Sequence, residues 1–176
     1  MDNQEFVERS LMLLLAQGKG GLTPTRLQKE MFLFSEIRPD LKEDLNFEQH
    51  YLGPYSRVLE ETVRSPTYLS NMFAFQGKKI FLSSKGKKEY QEMLTKRKKD
   101  IKFNLLISSL KILRTIYDKL SETELLFLVY VTYPEFTKNS SISYKLLNNP
   151  LRKRILSSLK SKEVITDGRY EELLGR

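Results

Sequence analysis

Few side chains of the kinds that catalysis requires occur in this sequence. It has 176 residues, with one histidine, His50, and no cysteine. Disulfides, thiolate nucleophiles and thiolate metal ligands are therefore excluded, and little conventional acid–base chemistry remains. Adjacent glutamates diverge by about 100° on a helix, so they are poorly placed to share a metal ion. The two pairs are Glu60 with Glu61 and Glu171 with Glu172. We predict no enzyme activity, no catalytic residue, no metal site and no cofactor.

Positive charge is concentrated in the middle of the chain. The formal net charge is +8, and residues 77–119 hold 13 basic and 4 acidic side chains. Such a stripe attracts phosphate groups at long range, although a lysine-rich helix that faces only solvent is the alternative. Lysines outnumber arginines in this stretch, whereas base-specific reading favours arginine.

Local signals predict three helices and a short strand in the first part of the chain. Apolar periodicity indicates a helix over residues 3–17, and Thr23 with Pro24 begins a second helix that "RPD" (38–40) should end. Residues 47–51 alternate as in a strand, which Gly53-Pro54 should break. Ser56 can cap a third helix, "RVLEETVR". Its inward-facing residues should be Val58, Leu59, Thr62 and Val63.

The middle and the end of the chain predict a hairpin followed by helices. "MFAF" and "IFL" flank "QGKK", which is typical of a β-hairpin. Helix follows Ser83 or Ser84, either as about 34 continuous residues or with a break near Asp100. Ser121 and Glu124 form a capping box, and two short helices should cover about 150–161 and 167–174.

The apolar spacing after residue 84 places Tyr90, Leu94, Ile101, Leu105, Leu113, Ile116 and Leu120 on one face, and Phe103, Leu106, Leu110 and Ile112 off it.

This order of elements is typical of a winged helix-turn-helix, in which the third helix is the usual reader and the hairpin is the wing. We therefore predict a mainly α (α+β) fold with a small β-wing and a helical C-terminal extension. Residues 1–90 would form the winged-helix domain. Residues 91–176 would pack on it or mediate dimerisation.

Two short motifs resemble a known family. "RLQKEMFLFSE" begins at Arg26, and "YLGPYSRVLEE" begins at Tyr51. Together they resemble the Panacea domain of the SocA-like antitoxin group and the related YwgA-like proteins. The resemblance implies a winged-helix fold that binds a partner protein or nucleic acid rather than catalysing a reaction. The matching positions are Leu27, Gln28, Lys29, Gly53, Pro54, Tyr55 and Ser56; the tyrosine that precedes the glycine in the family is either displaced to Tyr51 or replaced by Leu52.

The Gly53-Pro54 corner has two interpretations. Either it is a rigid turn that only positions the third helix, or the corner itself contacts a ligand. In both cases Tyr51 and Tyr55 should pack around it with their hydroxyls toward solvent or a partner.

Nucleic-acid binding, to duplex DNA, is the favoured function. The third helix offers Arg57 and Arg64, although Glu60 and Glu61 beside them repel phosphate. The wing offers Lys78 and Lys79, and the next helix offers Lys85, Lys87 and Lys88, which suit contacts that position a protein without reading sequence.

Protein recognition is the alternative function. "FNLLISSLKILRTIY" (103–117) is apolar on more than one side, so it is either buried by the C-terminal helices or used to bind another chain. That chain would be a toxin-like or other partner protein, or a second copy in a homodimer.

The composition also bears on location. No apolar run approaches the roughly 18 residues of a membrane-spanning helix, and the start "MDNQEFVE" lacks the basic segment of a signal peptide. We therefore predict no membrane partner and a cytoplasmic protein.

Overall fold

The computed structural model describes residues 2–175, which form a mainly helical protein with two small antiparallel hairpins. In chain order the elements are α1 (Asn3–Gln17), α2 (Pro24–Glu36), α3 (Pro39–Leu45), β1 (Glu48–His50), β2 (Gly53–Tyr55), α4 (Arg57–Arg64), β3 (Phe73–Gln76), β4 (Lys79–Leu82), α5 (Ser84–Lys96), α6 (Ile101–Tyr117), α7 (Glu122–Thr132), a 3₁₀ helix (Pro134–Thr137), α8 (Ser143–Leu147), α9 (Leu151–Ser161) and α10 (Asp167–Gly175).

Side-chain caps fix where most of these helices begin. The Ser56 hydroxyl accepts a hydrogen bond from the Leu59 N–H at 3.1 Å, and Asp100 accepts one from the Phe103 N–H at 2.9 Å. Thr23 caps α2, Ser83 caps α5, and Ser121 with Glu124 closes a capping box on α7. Each cap satisfies backbone donors that a helix start would leave without partners, so the predicted starts are confirmed.

The predicted hairpin is confirmed as β3–β4. Its register pairs Phe73 with Leu82 and Gln76 with Lys79, and Gly77 at the tip has φ of +57°. The segment between α1 and α2 joins this hairpin, because Leu22 and Ile80 exchange backbone hydrogen bonds of 3.0 and 2.8 Å. The hairpin is therefore fastened along β4 to the connection between α1 and α2.

The expectation that residues 38–40 end α2 is confirmed, since α2 stops at Glu36, but Pro39 also begins a further helix, α3, which was not predicted. Two other expectations about the first half of the chain were wrong. Gly53-Pro54 does not end a strand; Gly53–Tyr55 forms the second strand of a hairpin whose turn is Tyr51-Leu52. In α4, Leu59, Thr62 and Val63 are buried as expected, but Val58 is exposed.

Of the two alternatives for the helix after Ser84, the structure shows the break near Asp100, which separates α5 from α6 and changes which face of α6 is buried. Phe103 and Leu110 are buried, whereas Ile101 and Leu105 are 74% and 64% exposed. The apolar face predicted for one continuous helix was therefore wrong for α6. Residues 97–100 interrupt the helix, so helical spacing counted across them does not give the face of the residues in α6.

Buried apolar side chains form two groups. The first joins α1–α6 and β3–β4, and includes Phe103 and Leu110. The second joins α7–α10 with Phe32 of α2, whose ring meets Phe47, Tyr133 and Phe136 edge-on at 4.9 to 5.3 Å. This division of the core falls after α6, whereas the domain boundary predicted from the sequence was at residue 90.

A buried cluster of charges ties α2 to α6. The Arg26 and Arg114 guanidiniums lie 2.7 and 3.1 Å from the two carboxylate oxygens of Glu30. Arg114 also pairs with Asp118 at 3.0 Å and donates to the Leu14 carbonyl at 3.4 Å. Burial raises the pKa of Glu30, and the two arginines counteract part of that rise.

Within residues 2–175, no helix combines the length and apolarity needed to cross a bilayer.

Candidate functional site

Five lysines form what we call the basic surface: Lys78, Lys79, Lys85, Lys87 and Lys88. All five side chains are exposed. None of them forms an ion pair with any part of the chain between residues 2 and 175. Their charges are therefore not neutralised by the protein itself.

The fold places these lysines close together along one hairpin and the helix after it. Lys78 and Lys79 lie at the tip of β3–β4, and β4 has four residues. A strand of that length spans about 13 Å, so the tip lies about that far from the start of α5. Lys85 and Lys87 occupy the first turn of α5, which contains no acidic residue.

The two arginines of α4 differ from these lysines. Arg57 pairs with Glu61 at 2.8 Å, and Arg64 pairs with Glu60. Each pair links consecutive turns of the same helix. The helix therefore has no net charge on its exposed face, and the structure does not join Arg57 and Arg64 to the basic surface.

The two motifs that carry the family resemblance meet in space. The Gln28 side-chain amide donates to the Ser56 carbonyl at 2.9 Å, and its oxygen accepts from the Ser56 N–H at 2.8 Å. The Ser56 hydroxyl also donates to the Leu45 carbonyl while capping α4. Leu27 is buried in the first core. One residue of α2 thus satisfies both main-chain groups at the start of α4.

Lys29, next to Gln28, is a buried lysine without an acidic partner. Only 3% of it is exposed, and its ammonium donates to the Pro54 carbonyl at 2.8 Å. Burial lowers the pKa of Lys29 to about 8, although the charge of Glu122 opposes part of that change. In the part of the chain from residue 2 to residue 175, Lys29 forms no salt bridge.

Gly53 lies against this lysine and against α7. Its φ is +84°, and a Cβ atom there would lie 2.9 Å from Leu126 Cδ1 and 3.3 Å from the Tyr130 ring. The positive φ therefore favours glycine, and a side chain there would also displace the Leu126 methyl group. The expectation that Gly53 allows close backbone approach is confirmed.

Aromatic rings surround the corner. The centroid of the His50 ring lies 3.9 Å from the centroid of the Tyr51 ring and 4.7 Å from that of the Tyr55 ring. The Tyr55 hydroxyl donates to Glu60, and this hydrogen bond raises the pKa of Tyr55. Tyr51 is 55% exposed, so only one of the two tyrosines points freely outward.

The sequence did not reveal that Lys29 is buried. Its hydrogen-bond partner lies 25 residues away, and lysines are usually exposed. The only signal in the sequence that linked Lys29 to the Gly53-Pro54 corner was the family resemblance, because its motifs include both.

Stability should depend on pH through Lys29. Its pKa is about 8 in the folded protein, below the ordinary lysine pKa of 10.5, so between these pH values the unfolded chain holds a proton that the folded chain has lost. Stability from this group therefore rises with pH across that window, by about 3 kcal/mol in total. Urea unfolding monitored by circular dichroism between pH 7.5 and 10.5 gives the free energy of unfolding of the wild type and of Lys29→Met. The difference between the two at each pH measures the contribution of Lys29.

The exposed Lys85→Met variant is the control for this pH dependence, and it should follow the wild type. Subtracting the variant curve also removes the contributions of the other titrating groups, which the wild type and the variant share. Parallel curves for the wild type and Lys29→Met would show that the buried amine keeps its ordinary pKa.

A second exposed feature is apolar. Ile101, Leu105 and Ile112 of α6 are 74%, 64% and 61% exposed and lie on one side of the helix. We call them the α6 strip. Leu105 and Ile112 of this strip border a groove of about 940 Å³ that also reaches Phe6 and Ile37.

Comparison of the sequence with models of known protein families finds no match, and comparison with the curated proteins finds none either. The likeness to the Panacea domain therefore stays a prediction based on the residues from Leu27 to Lys29 and from Gly53 to Ser56.

Proposed function

We propose that this chain is a winged-helix protein that binds the phosphate backbone of nucleic acid, with duplex DNA as its partner. The observation that carries the proposal is the basic surface, whose five lysines are exposed and have no acidic partner among the described residues. Charges of this kind release counterions when they meet phosphates, which drives association.

The order of elements supports the winged-helix part of the proposal. The helices α1 and α2 are followed by α3, the β1–β2 hairpin and α4, and then by the β3–β4 hairpin. In this order α4 takes the place of the third helix, with α3 and β1–β2 as additional elements before it, and the Leu22–Ile80 bridge attaches β3–β4 to the connection between α1 and α2. In a winged helix the hairpin projects beside the third helix and can contact DNA. In this account β3–β4 is the wing.

The positions of the lysines support the phosphate contacts. About 13 Å separates the hairpin tip from the start of α5, and one DNA strand places a phosphate every 3.4 Å or so along the axis. The basic surface can therefore meet several phosphates together. Lys85 and Lys87 also lie at the positive end of the α5 dipole, where a cation costs stability, so their presence is not explained by helix stability.

The contacts should be sequence-independent. Lysine ammoniums bind phosphates as point charges, and the arginines of α4, the helix that would read bases, are paired with its own glutamates. The proposal therefore assigns binding to the wing and α5 rather than to Arg57 and Arg64.

Reversing the charge of the wing tip tests this proposal. The double variant Lys78→Glu with Lys79→Glu should bind a fluorescein-labelled 24-base-pair duplex at least tenfold more weakly at 100 mM salt. The slope of log affinity against log salt should become shallower by about 2, since each lost phosphate contact removes about 0.9. Fluorescence anisotropy measures both quantities.

The matched control is Lys138→Glu with Lys145→Glu, two exposed lysines of the C-terminal part. It changes the net charge by the same amount but leaves the basic surface intact. An equal loss in both double variants would attribute binding to net charge alone, and an unchanged wing variant would exclude the wing.

Binding of a partner protein is the second candidate function, and the α6 strip favours it. Apolar contacts are not screened by salt, so a partner held there should remain bound in 1 M salt and be lost in Leu105→Glu with Ile112→Glu. A dimer mass by light scattering that this variant converts to a monomer mass would identify the partner as a second copy.

A further inference from the structure

A pocket of about 250 Å³ lies beside the Gly53-Pro54 corner, between α2, α4 and the β3–β4 hairpin. Its walls are mainly apolar, and they include Leu27, Leu59, Val63 and Ile80, all buried in the first core. Residues from three separate parts of the chain therefore enclose one concave space. A cavity of about 150 Å³ holds a benzene ring, so this one has room for a ring and a short substituent.

The charged groups at this pocket differ in whether their hydrogen-bonding capacity is satisfied. Glu60 is satisfied by Arg64 and by the Tyr55 hydroxyl. Lys29 is not fully satisfied, because its ammonium has three N–H donors and the Pro54 carbonyl accepts one hydrogen bond. Because Lys29 is 97% buried by its neighbours and pairs with no carboxylate among residues 2–175, an anion entering the pocket would supply what the protein does not.

Aromatic side chains at the pocket remain partly uncovered. Tyr51 and Phe75 both line it, and 55% and 59% of these side chains are exposed. The His50 ring, between Tyr51 and Tyr55, lies at the same pocket. Flat apolar ligands gain from stacking on such rings and from covering them.

We propose that this pocket binds a small aromatic carboxylate, with the carboxylate accepting a hydrogen bond from the Lys29 ammonium and the ring packed between the apolar walls. The site is separate from the basic surface and does not depend on nucleic-acid binding.

Phenylacetate is the probe, and its uncharged amide, phenylacetamide, is the matched comparison. Isothermal titration calorimetry on the full chain at pH 7 should give a dissociation constant of about 1 mM or lower for the acid. The amide should bind at least tenfold more weakly, since a hydrogen bond between charged groups is worth roughly that factor or more.

Lys29→Met should weaken phenylacetate binding at least tenfold and leave the amide affinity unchanged, whereas Lys85→Met should change neither. No heat of binding at 10 mM phenylacetate, equal affinity for the acid and the amide, or unchanged affinity in a folded Lys29→Met would each overturn the proposal. The acid and amide are compared on the wild type, so the test stands even if Lys29→Met does not fold.

Discussion

Replacing Arg114 by alanine is expected to lower the free energy of unfolding by about 3 to 5 kcal/mol. The Arg114 side chain is 1% exposed and lies against Glu30, which is fully buried. Removing Arg114 leaves the buried Glu30 with Arg26 as its remaining cationic partner, and the second carboxylate oxygen of Glu30 loses its contact in the interior. Breaking a buried ion pair in this way costs more than the net strength of the pair. The loss also removes donors to the Leu14 and Gly20 carbonyls. Urea unfolding monitored by far-ultraviolet circular dichroism measures the change.

Two further variants separate the ion pair from general effects on α6. Lys111→Ala changes an exposed residue of the same helix and should alter stability by less than about 0.5 kcal/mol. Glu30→Gln, made alone and together with Arg114→Ala, should show a coupling of at least about 1 kcal/mol between the two substitutions, because Arg114 and Glu30 contact each other. A loss below about 1 kcal/mol in Arg114→Ala would contradict the buried network.

Gln28→Ala should destabilise the protein by about 2 to 4 kcal/mol. The substitution leaves the buried Ser56 N–H without a partner, at a cost of about 1 to 3 kcal/mol. It also removes one of the two hydrogen bonds that the Ser56 carbonyl accepts, the other coming from the Glu60 N–H at 3.2 Å. The start of α4 should then be less ordered, and amide hydrogen exchange at Leu59 and Glu60 should increase. Thermal unfolding combined with hydrogen exchange measures both effects.

Gln91→Ala is the control for Gln28→Ala, because Gln91 is an exposed glutamine within α5. It should be close to neutral, since alanine favours helix slightly. Equal effects of the two substitutions would mean that Gln28 does not anchor the corner.

The parts of the fold that local chemistry determines could be predicted from the sequence. Thr23-Pro24, Ser56 and Ser121 with Glu124 are capping signals that act within four residues, and each marks a helix start. The β3–β4 hairpin was predictable because its turn and both strands lie within about ten residues. The exposure of Lys78 and Lys79 follows from their place at the tip.

Features set by distant parts of the chain could not be predicted. The four residues between α5 and α6 reset the helical phase, so the spacing across them placed Ile101 and Leu105 on the wrong face. Pro39 is compatible with both the end of one helix and the start of another. The contacts of Lys29 and Arg114 join residues 25 to 100 positions apart.

The most direct test of the proposed function is the salt dependence of DNA binding by the unmodified protein. Fluorescence anisotropy with two 24-base-pair duplexes of unrelated sequence, between 50 and 400 mM salt, gives the slope of log affinity against log salt. Five lysine contacts predict a slope between about −3 and −4.5, equal for the two duplexes. No binding at 50 mM salt, or a slope shallower than about −1.8, would contradict the account.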